Sequence, residues 1–92
     1  MEKLWHEFQL LPYPSDMVGK EIEGINPSEV DKLATGCIRS YLKDGKSLDT
    51  NTKAILKQCM TDLRRLNPKL GGNAQVYFGK LYRLCDLVYA QL

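Results

Sequence analysis

The chain has 92 residues, of which 43% are hydrophobic and 26% charged, a composition typical of one folded domain. Thirteen Lys and Arg residues against eleven Asp and Glu residues give a formal net charge of +2. This is far below the surplus that would by itself indicate a nucleic-acid-binding or membrane-surface protein. No stretch approaches the roughly 18 apolar residues of a membrane span, and the charged start at Met1–Glu7 is unlike a secretory signal. We therefore expect a cytoplasmic protein without a cleaved leader and without a membrane partner.

The three cysteines, Cys37, Cys59 and Cys85, lie far apart in the sequence. They form neither the CxxC pairs of a zinc site nor the even count of a disulfide framework, which favours a reducing compartment. Each falls within the apolar stripe of a predicted helix. We therefore interpret all three as small hydrophobic core residues rather than nucleophiles or metal ligands.

Residues 27–43 form the clearest predicted helix. Apolar residues recur there at steps of three and four, the spacing that places them on one helix face: Val30, Leu33, Ala34, Cys37, Ile38, Tyr41 and Leu42. Two starts fit the residues, either Asn26 as N-cap with Pro27 in the first turn, or Ser28 as N-cap. Asp44-Gly45 ends the helix, because glycine readily adopts the left-handed conformation that follows a helix.

A second helix is predicted at about 49–66, with Ser47 or Asp49 as the capping residue and Asn67-Pro68 as the stop. Its apolar stripe contains Ile55, Leu56, Cys59, Met60, Leu63 and Leu66. The link from the first helix is so short that the two helices should pack as antiparallel neighbours.

A third helix is predicted at 73–92, after the Gly71-Gly72 break and with Asn73 as a possible cap. It carries two adjacent apolar stripes. Tyr77, Leu81, Leu84 and Val88 form the first, and Phe78, Tyr82, Cys85 and Tyr89 form the second. The first two helices can cover only one of them, so we expect the aromatic N-terminal segment to cover the other.

Residues 1–26 form that aromatic segment and a connector, and together with residues 27–92 they should make a single domain. Residues 2–9 can form a short helix, which the Leu10-Leu11-Pro12-Tyr13-Pro14 run would end. Residues 15–25 show no clean period and indicate an extended connector with a short turn or a bridge of strand. The predicted fold is an all-α, antiparallel three-helix bundle with an N-terminal short helix or ordered aromatic flap.

No residue pattern in the chain indicates catalysis, a cofactor or a metal ion. His6 is the only histidine and has no motif around it, while Gly45-Lys46-Ser47 lacks the upstream glycine and strand of a phosphate-binding loop. Glu21 and Glu23 lie close together in a polar connector, where carboxylates are normally solvated. We therefore expect a non-enzymatic protein, and a small enzyme acting through His6 is the least favoured hypothesis.

The leading functional hypothesis is a protein-interaction module: an adaptor, an inhibitor or immunity-type protein, or a helical homodimer. Buried aromatic and apolar side chains are the usual energetic centre of an interface, and the possible contact residues are Trp5, Phe8, Tyr13, Val76 and Leu87. The alternative is a nucleic-acid-binding accessory domain. It would use basic residues of the second helix, Lys53, Lys57, Arg64 and Arg65, although an ordinary solvated helix face has the same pattern.

Overall fold

A computed structural model describes all 92 residues of the chain and contains four α-helices and no β-strand. The all-helical prediction is therefore confirmed. The helices are α1 (Glu2–Gln9), α2 (Pro27–Lys43), α3 (Thr50–Leu66) and α4 (Gly72–Ala90). None of them is long and apolar enough to cross a membrane.

Side chains predicted to cap α2 and α3 do so. The Asn26 carboxamide oxygen accepts hydrogen bonds from the backbone N–H groups of Ser28 and Glu29, at 3.0 and 3.3 Å. Asp49 accepts from the Thr52 N–H at 2.7 Å. These bonds satisfy donors that the first helical turn leaves free. Of the alternatives left open by the sequence, Asn26 is therefore the cap of α2 and Asp49 the cap of α3.

The start of α4 differs from the prediction. Gly71 is the N-cap residue, no side chain caps the helix, and Asn73 lies exposed in the first turn. Gly72 has a φ of 58°, a left-handed conformation that glycine adopts without the steric cost of a Cβ atom. The chain enters α4 through a backbone turn of the two glycines, so Asn73 is already past the capping position. The helix ends at Ala90 rather than Leu92.

The connector contains the short elements that the sequence allowed. A single 3-10 turn covers Ser15–Met17, and Ile22 and Ile25 form an isolated antiparallel bridge. Their backbone groups exchange hydrogen bonds of 2.8 and 2.9 Å around Glu23 and Gly24, both of which have positive φ angles. Positive φ at both central residues is typical of a tight hairpin turn. Met17 and Ile25 are buried, which anchors the connector on the core.

The hydrophobic core lies where α2, α3 and α4 pack against one another, and α1 packs on α4. Each of the three long helices contributes one buried cysteine, as predicted. Leu33 is an exception to the predicted stripe of α2, because 49% of its surface is exposed. It lies at the edge of the apolar stripe, and no other element covers that edge.

The N-terminal segment covers parts of both apolar stripes of α4 rather than the second alone, since Tyr13 meets the Phe78 ring of the second stripe at 5.9 Å. Phe8 and Tyr13 contact Tyr77, with ring centroids 4.8 and 5.5 Å apart, and Tyr77 belongs to the first apolar stripe. Of the second stripe, Tyr82 and Tyr89 lie instead beside basic side chains of α3. Periodicity defines the width of an apolar face but does not say which neighbour covers each part of it.

We expect Phe8→Ala to destabilise the fold far more than Leu10→Ala, although the two residues are neighbours in sequence. Phe8 is 4% exposed against the aromatic side of α4, whereas Leu10 is 72% exposed. Truncating a buried phenylalanine costs about 3–5 kcal/mol, and an exposed substitution changes stability by about 0.5 kcal/mol or less. Urea unfolding followed by circular dichroism measures both, and equal effects would mean that α1 is not part of the core.

Candidate functional site

The five residues of the predicted protein interface do not share one surface. Trp5 and Phe8 are buried in the chain's own core, and Tyr13 and Leu87 are half-buried. Only Val76 is well exposed, at 54%. The structure therefore removes Trp5 and Phe8 from the surface and brings Tyr13 and Val76 together at one place.

That place is a groove of about 380 Å³ between the segment that follows α1 and the first turns of α4. We call it the N-terminal groove; it is lined by Leu11, Pro12, Tyr13, Pro14, Ser15, Asn73, Val76 and Tyr77. The two prolines keep the segment extended and rigid, so it forms a fixed wall opposite the helix. Leu10, the most exposed large hydrophobic residue of the chain, lies at the start of the same segment. The groove joins residues more than sixty positions apart in sequence, which periodicity within one helix cannot predict.

Polar contacts beneath the groove hold its two tyrosines in place. The Tyr77 hydroxyl donates to the Asp31 carboxylate at 2.7 Å, and the hydroxyls of Tyr13 and Ser28 share a hydrogen bond of 3.0 Å. Burial raises the pKa of the Asp31 carboxyl, and the bond from Tyr77 opposes that rise. Burial also raises the pKa of Tyr77, as does its bond to Asp31. Both rings are thus anchored to α2 and present their apolar parts to the rest of the site.

A line of exposed and half-buried residues runs along α4 from the groove. We call it the α4 outer stripe: Val76, Lys80, Arg83 and Leu87, at steps of four, three and four. Lys80 and Arg83 are exposed and make no salt bridge, since the one salt bridge in the structure joins Lys69 to Glu23. The stripe therefore has apolar ends and a basic centre without a salt bridge, although Glu7 of α1 lines the same cleft as Lys80 and Arg83. The sequence predicted its two apolar members as contact residues and did not assign a role to the cations.

Basic residues of α3 lie along its boundary with α4. The Lys53 Nζ atom lies 5.7 Å from the centre of the Tyr89 ring, and the Arg64 guanidinium lies 5.9 Å from the Tyr82 ring. An Arg64 nitrogen also donates to the Tyr82 hydroxyl at 3.1 Å. We call this surface the basic seam; its members are Lys53, Lys57 and Arg64 of α3 with Tyr82 and Tyr89 of α4. None of its three cations has a carboxylate within salt-bridge distance.

Arg65, the fourth predicted anion-binding residue, is exposed but lies outside the basic seam. It follows Arg64 and so projects roughly 100° further round the helix.

The distribution of charged residues along the sequence also supports the basic seam. Residues 50–92 hold seven of the thirteen Lys and Arg residues but only two of the eleven Asp and Glu residues. The small overall charge hides this asymmetry between an acidic stretch at 1–49 and a basic stretch at 50–92.

The residues considered for catalysis and metal binding are not brought together. His6 is exposed on α1, while Cys37, Cys59 and Cys85 are buried in the core. Glu21 and Glu23 are exposed in the connector, and Glu23 pairs with Lys69 at 3.6 Å. No group of three or more His, Cys, Asp and Glu side chains is arranged to hold a metal ion.

Comparison of the chain with family models, with curated proteins and with solved structures finds no match. No function is therefore transferred from a relative. The N-terminal groove, the α4 outer stripe and the basic seam are the surfaces from which function has to be inferred.

We expect Asp31→Asn to stabilise the fold at neutral pH. Because burial raises the folded-state pKa of this carboxyl above its unfolded value, the ionised form destabilises the fold at pH values above the folded pKa. That loss disappears as the pH falls to about 4, near the unfolded pKa. Asparagine still accepts the Tyr77 hydrogen bond and carries no charge. Chemical unfolding at pH 7 and pH 4 measures the free energy of unfolding of both proteins. The increase for Asp31→Asn over wild type should be larger at pH 7.

Tyr77→Phe is the matched control for this measurement. It removes the donor and leaves the half-buried carboxylate without its partner, which should cost about 1–3 kcal/mol at pH 7. A variant Asp31→Asn that is less stable than wild type at pH 7 would show that the ionised carboxylate is required by the fold.

We expect all three cysteines to be unreactive in the folded protein. Burial raises the pKa of the thiols of Cys37 and Cys85, and raises that of Cys59 to about 12. The thiolate is the reactive species, and it is therefore scarce at pH 8. A thiol assay with Ellman's reagent should give almost no reaction until guanidinium unfolds the chain, when three equivalents appear. One fast-reacting thiol in the native protein would contradict the core assignment.

Proposed function

We propose that this protein is a non-enzymatic protein-interaction module. Its partner binds along the α4 outer stripe, places an apolar or aromatic side chain in the N-terminal groove, and presents carboxylates to Lys80 and Arg83. We also infer that α2, α3 and α4 form the antiparallel three-helix bundle expected from the sequence, and that α1 stabilises α4 by packing against it. In this arrangement the bundle is a rigid support for the binding surface.

The exposure of Val76 is the observation that carries the proposal. A valine in the first half of a helix is 54% exposed and forms one wall of an aromatic groove of about 380 Å³. Partly exposed apolar area beside a preformed concave surface is typical of an interaction site, because filling it removes apolar surface from water without reorganising the protein. The anchored rings of Tyr13 and Tyr77 supply that preformed shape.

The charges of the stripe favour an acidic partner over a second copy of the chain. In a two-fold symmetric dimer each subunit uses the same patch, so two antiparallel stripes would bring Lys80 of one copy close to Arg83 of the other. Like charges facing each other across an interface are unfavourable. Carboxylates at the middle of a partner's apolar face would complement the stripe instead. Among the classes considered from the sequence, this favours an adaptor or an inhibitor over a homodimer.

A photo-crosslinking amino acid at position 76 should capture a discrete partner in cells, whereas the same group at position 33 should not. Leu33 is the matched control, because it is 49% exposed on α2 but lies away from the groove. The captured protein, once purified, should bind wild type and bind Val76→Asp at least about tenfold more weakly, a loss of about 1.4 kcal/mol. Lys80→Gln/Arg83→Gln should mainly slow association.

Light scattering across a concentration series distinguishes this proposal from self-association. We expect wild type and Val76→Asp both to be monomeric. A wild-type dimer that Val76→Asp dissociates would make the stripe a contact between copies of the chain. Equal crosslinking at positions 76 and 33 would also contradict the proposal.

A further inference from the structure

We propose that the basic seam is a second binding site, separate from the protein-binding surface, and that its ligand is single-stranded nucleic acid. The phosphates would contact Lys53, Lys57 and Arg64, and a base would stack at the layer formed by Arg64 and Tyr82. This inference does not depend on the proposed protein partner, because it uses different residues on another side of α4.

The arrangement of the three cations supports a linear anionic ligand. Lys53, Lys57 and Arg64 recur at steps of four and seven on α3, so they lie in one row. With a rise of 1.5 Å per residue, the row is roughly 16 Å long, enough for a few nucleotides. Tyr89 lies beside the first cation and Tyr82 beside the last.

The tyrosines make the row better prepared for binding than an ordinary lysine-rich helix face. A long basic side chain loses conformational entropy when it is immobilised, and this loss opposes binding. Arg64 is already held by the Tyr82 hydroxyl at 3.1 Å, and its guanidinium lies near the Tyr82 ring. Arginine planes and aromatic rings are also the groups on which unpaired bases stack. The pair can therefore hold a phosphate and a base at one position.

The electrostatic setting favours an anion at this site. The seam's cations make no salt bridge, and residues 50–92 have a surplus of five positive charges, from seven basic and two acidic residues. Asp62, the acidic residue of α3, bonds to Gln58 at 3.0 Å and lies on a different side of that helix. Two carboxylates lie close in register to the seam: Asp86 of α4, between Tyr82 and Tyr89, and Asp49, the N-cap of α3, four residues before Lys53.

The position of the seam favours a single strand over a duplex. The major groove of DNA admits one α-helix, but α3 packs against both α2 and α4. The basic row of α3 lies at its boundary with α4. The neighbouring α4 therefore prevents α3 from entering the major groove with this row facing the bases. A flexible single strand can instead lie along the boundary. The α4 outer stripe projects roughly 140° away around α4, so both surfaces can be occupied together.

The test is fluorescence anisotropy with labelled oligothymidylate and oligouridylate of about 15 nucleotides, within the usual site sizes of single-strand-binding proteins. Wild type should bind at low salt, and three phosphate contacts predict a slope of log affinity against log salt of about −2. Lys53→Gln/Lys57→Gln should weaken binding roughly tenfold and reduce that slope by about 1.4. Lys3→Gln/Lys32→Gln, with the same charge change on α1 and α2, should leave both nearly unchanged.

Two further variants distinguish specific binding at the basic seam from a nonspecific effect of the protein's net charge. Tyr82→Leu leaves the charge unaltered but removes the group that holds Arg64, so affinity should fall several-fold while circular dichroism shows a folded protein. Asp86→Asn should strengthen binding, whereas Glu2→Gln on α1 should not.

The proposal is overturned by any of four results. The first is that neither oligonucleotide binds at low salt, and the second is that the two lysine double variants lose equal affinity. The third is that duplex binds more tightly than single strand. The fourth is that polyglutamate displaces the labelled oligonucleotide as well as unlabelled oligonucleotide does. The last result would identify the seam as a surface for acidic proteins.

Discussion

The packing of the N-terminal segment on α4 is the contact on which the rest of the structure depends. Phe8 and Tyr13 lie against Tyr77, and Tyr13 also meets the ring of Phe78 at 5.9 Å. A chain of this size buries only about 60–65% of the surface that its unfolded form exposes, so a core built from three helices alone would be small. The aromatic residues of the first thirteen positions complete it, because a large ring removes more apolar area from water than any aliphatic side chain.

The same contact builds the candidate binding site. The segment that leads Tyr13 onto α4 is also the wall of the N-terminal groove, and Tyr77 belongs at once to the core and to the groove lining. The bonds from Tyr13 to Ser28 and from Tyr77 to Asp31 then tie that wall to α2. Shape at the site is therefore set by core packing rather than by a mobile loop. A partner would meet a surface that needs little rearrangement.

Most helix boundaries could be predicted because the signals that set them are local. The three- and four-residue spacing of apolar residues, the Asn26-Pro27 start and the Pro12 and Pro14 stop act within a few residues of each helix end. Asn73 was a wrong prediction because the glycine turn before α4 shifts the helix start by one residue. Leu33 was predicted on the apolar face of α2 but is exposed, because an apolar stripe does not show which of its edges another element covers.

The surfaces were harder to predict than the helices, because they depend on which elements become neighbours. Val76 could be singled out as an apolar residue on a polar helix side, but its groove needs Pro12 and Tyr13 from the other end of the chain. Lys53 and Arg64 could be identified as part of a basic row, whereas their tyrosine neighbours depend on the register between α3 and α4.

The division of α4 into three sides explains how so short a chain can present two surfaces. One side is buried in the core, a second meets the basic row of α3, and a third carries the outer stripe between groove and solvent. Both surfaces carry cations, those of the stripe on α4 and those of the seam on α3, but the two proposed ligands would be selected differently. The stripe has apolar ends, so affinity there depends on burying side chains, which salt affects little. The seam has cations throughout, so affinity there depends on counterion release and falls steeply with salt. The two proposed sites would therefore respond differently to salt, although α4 contributes to both.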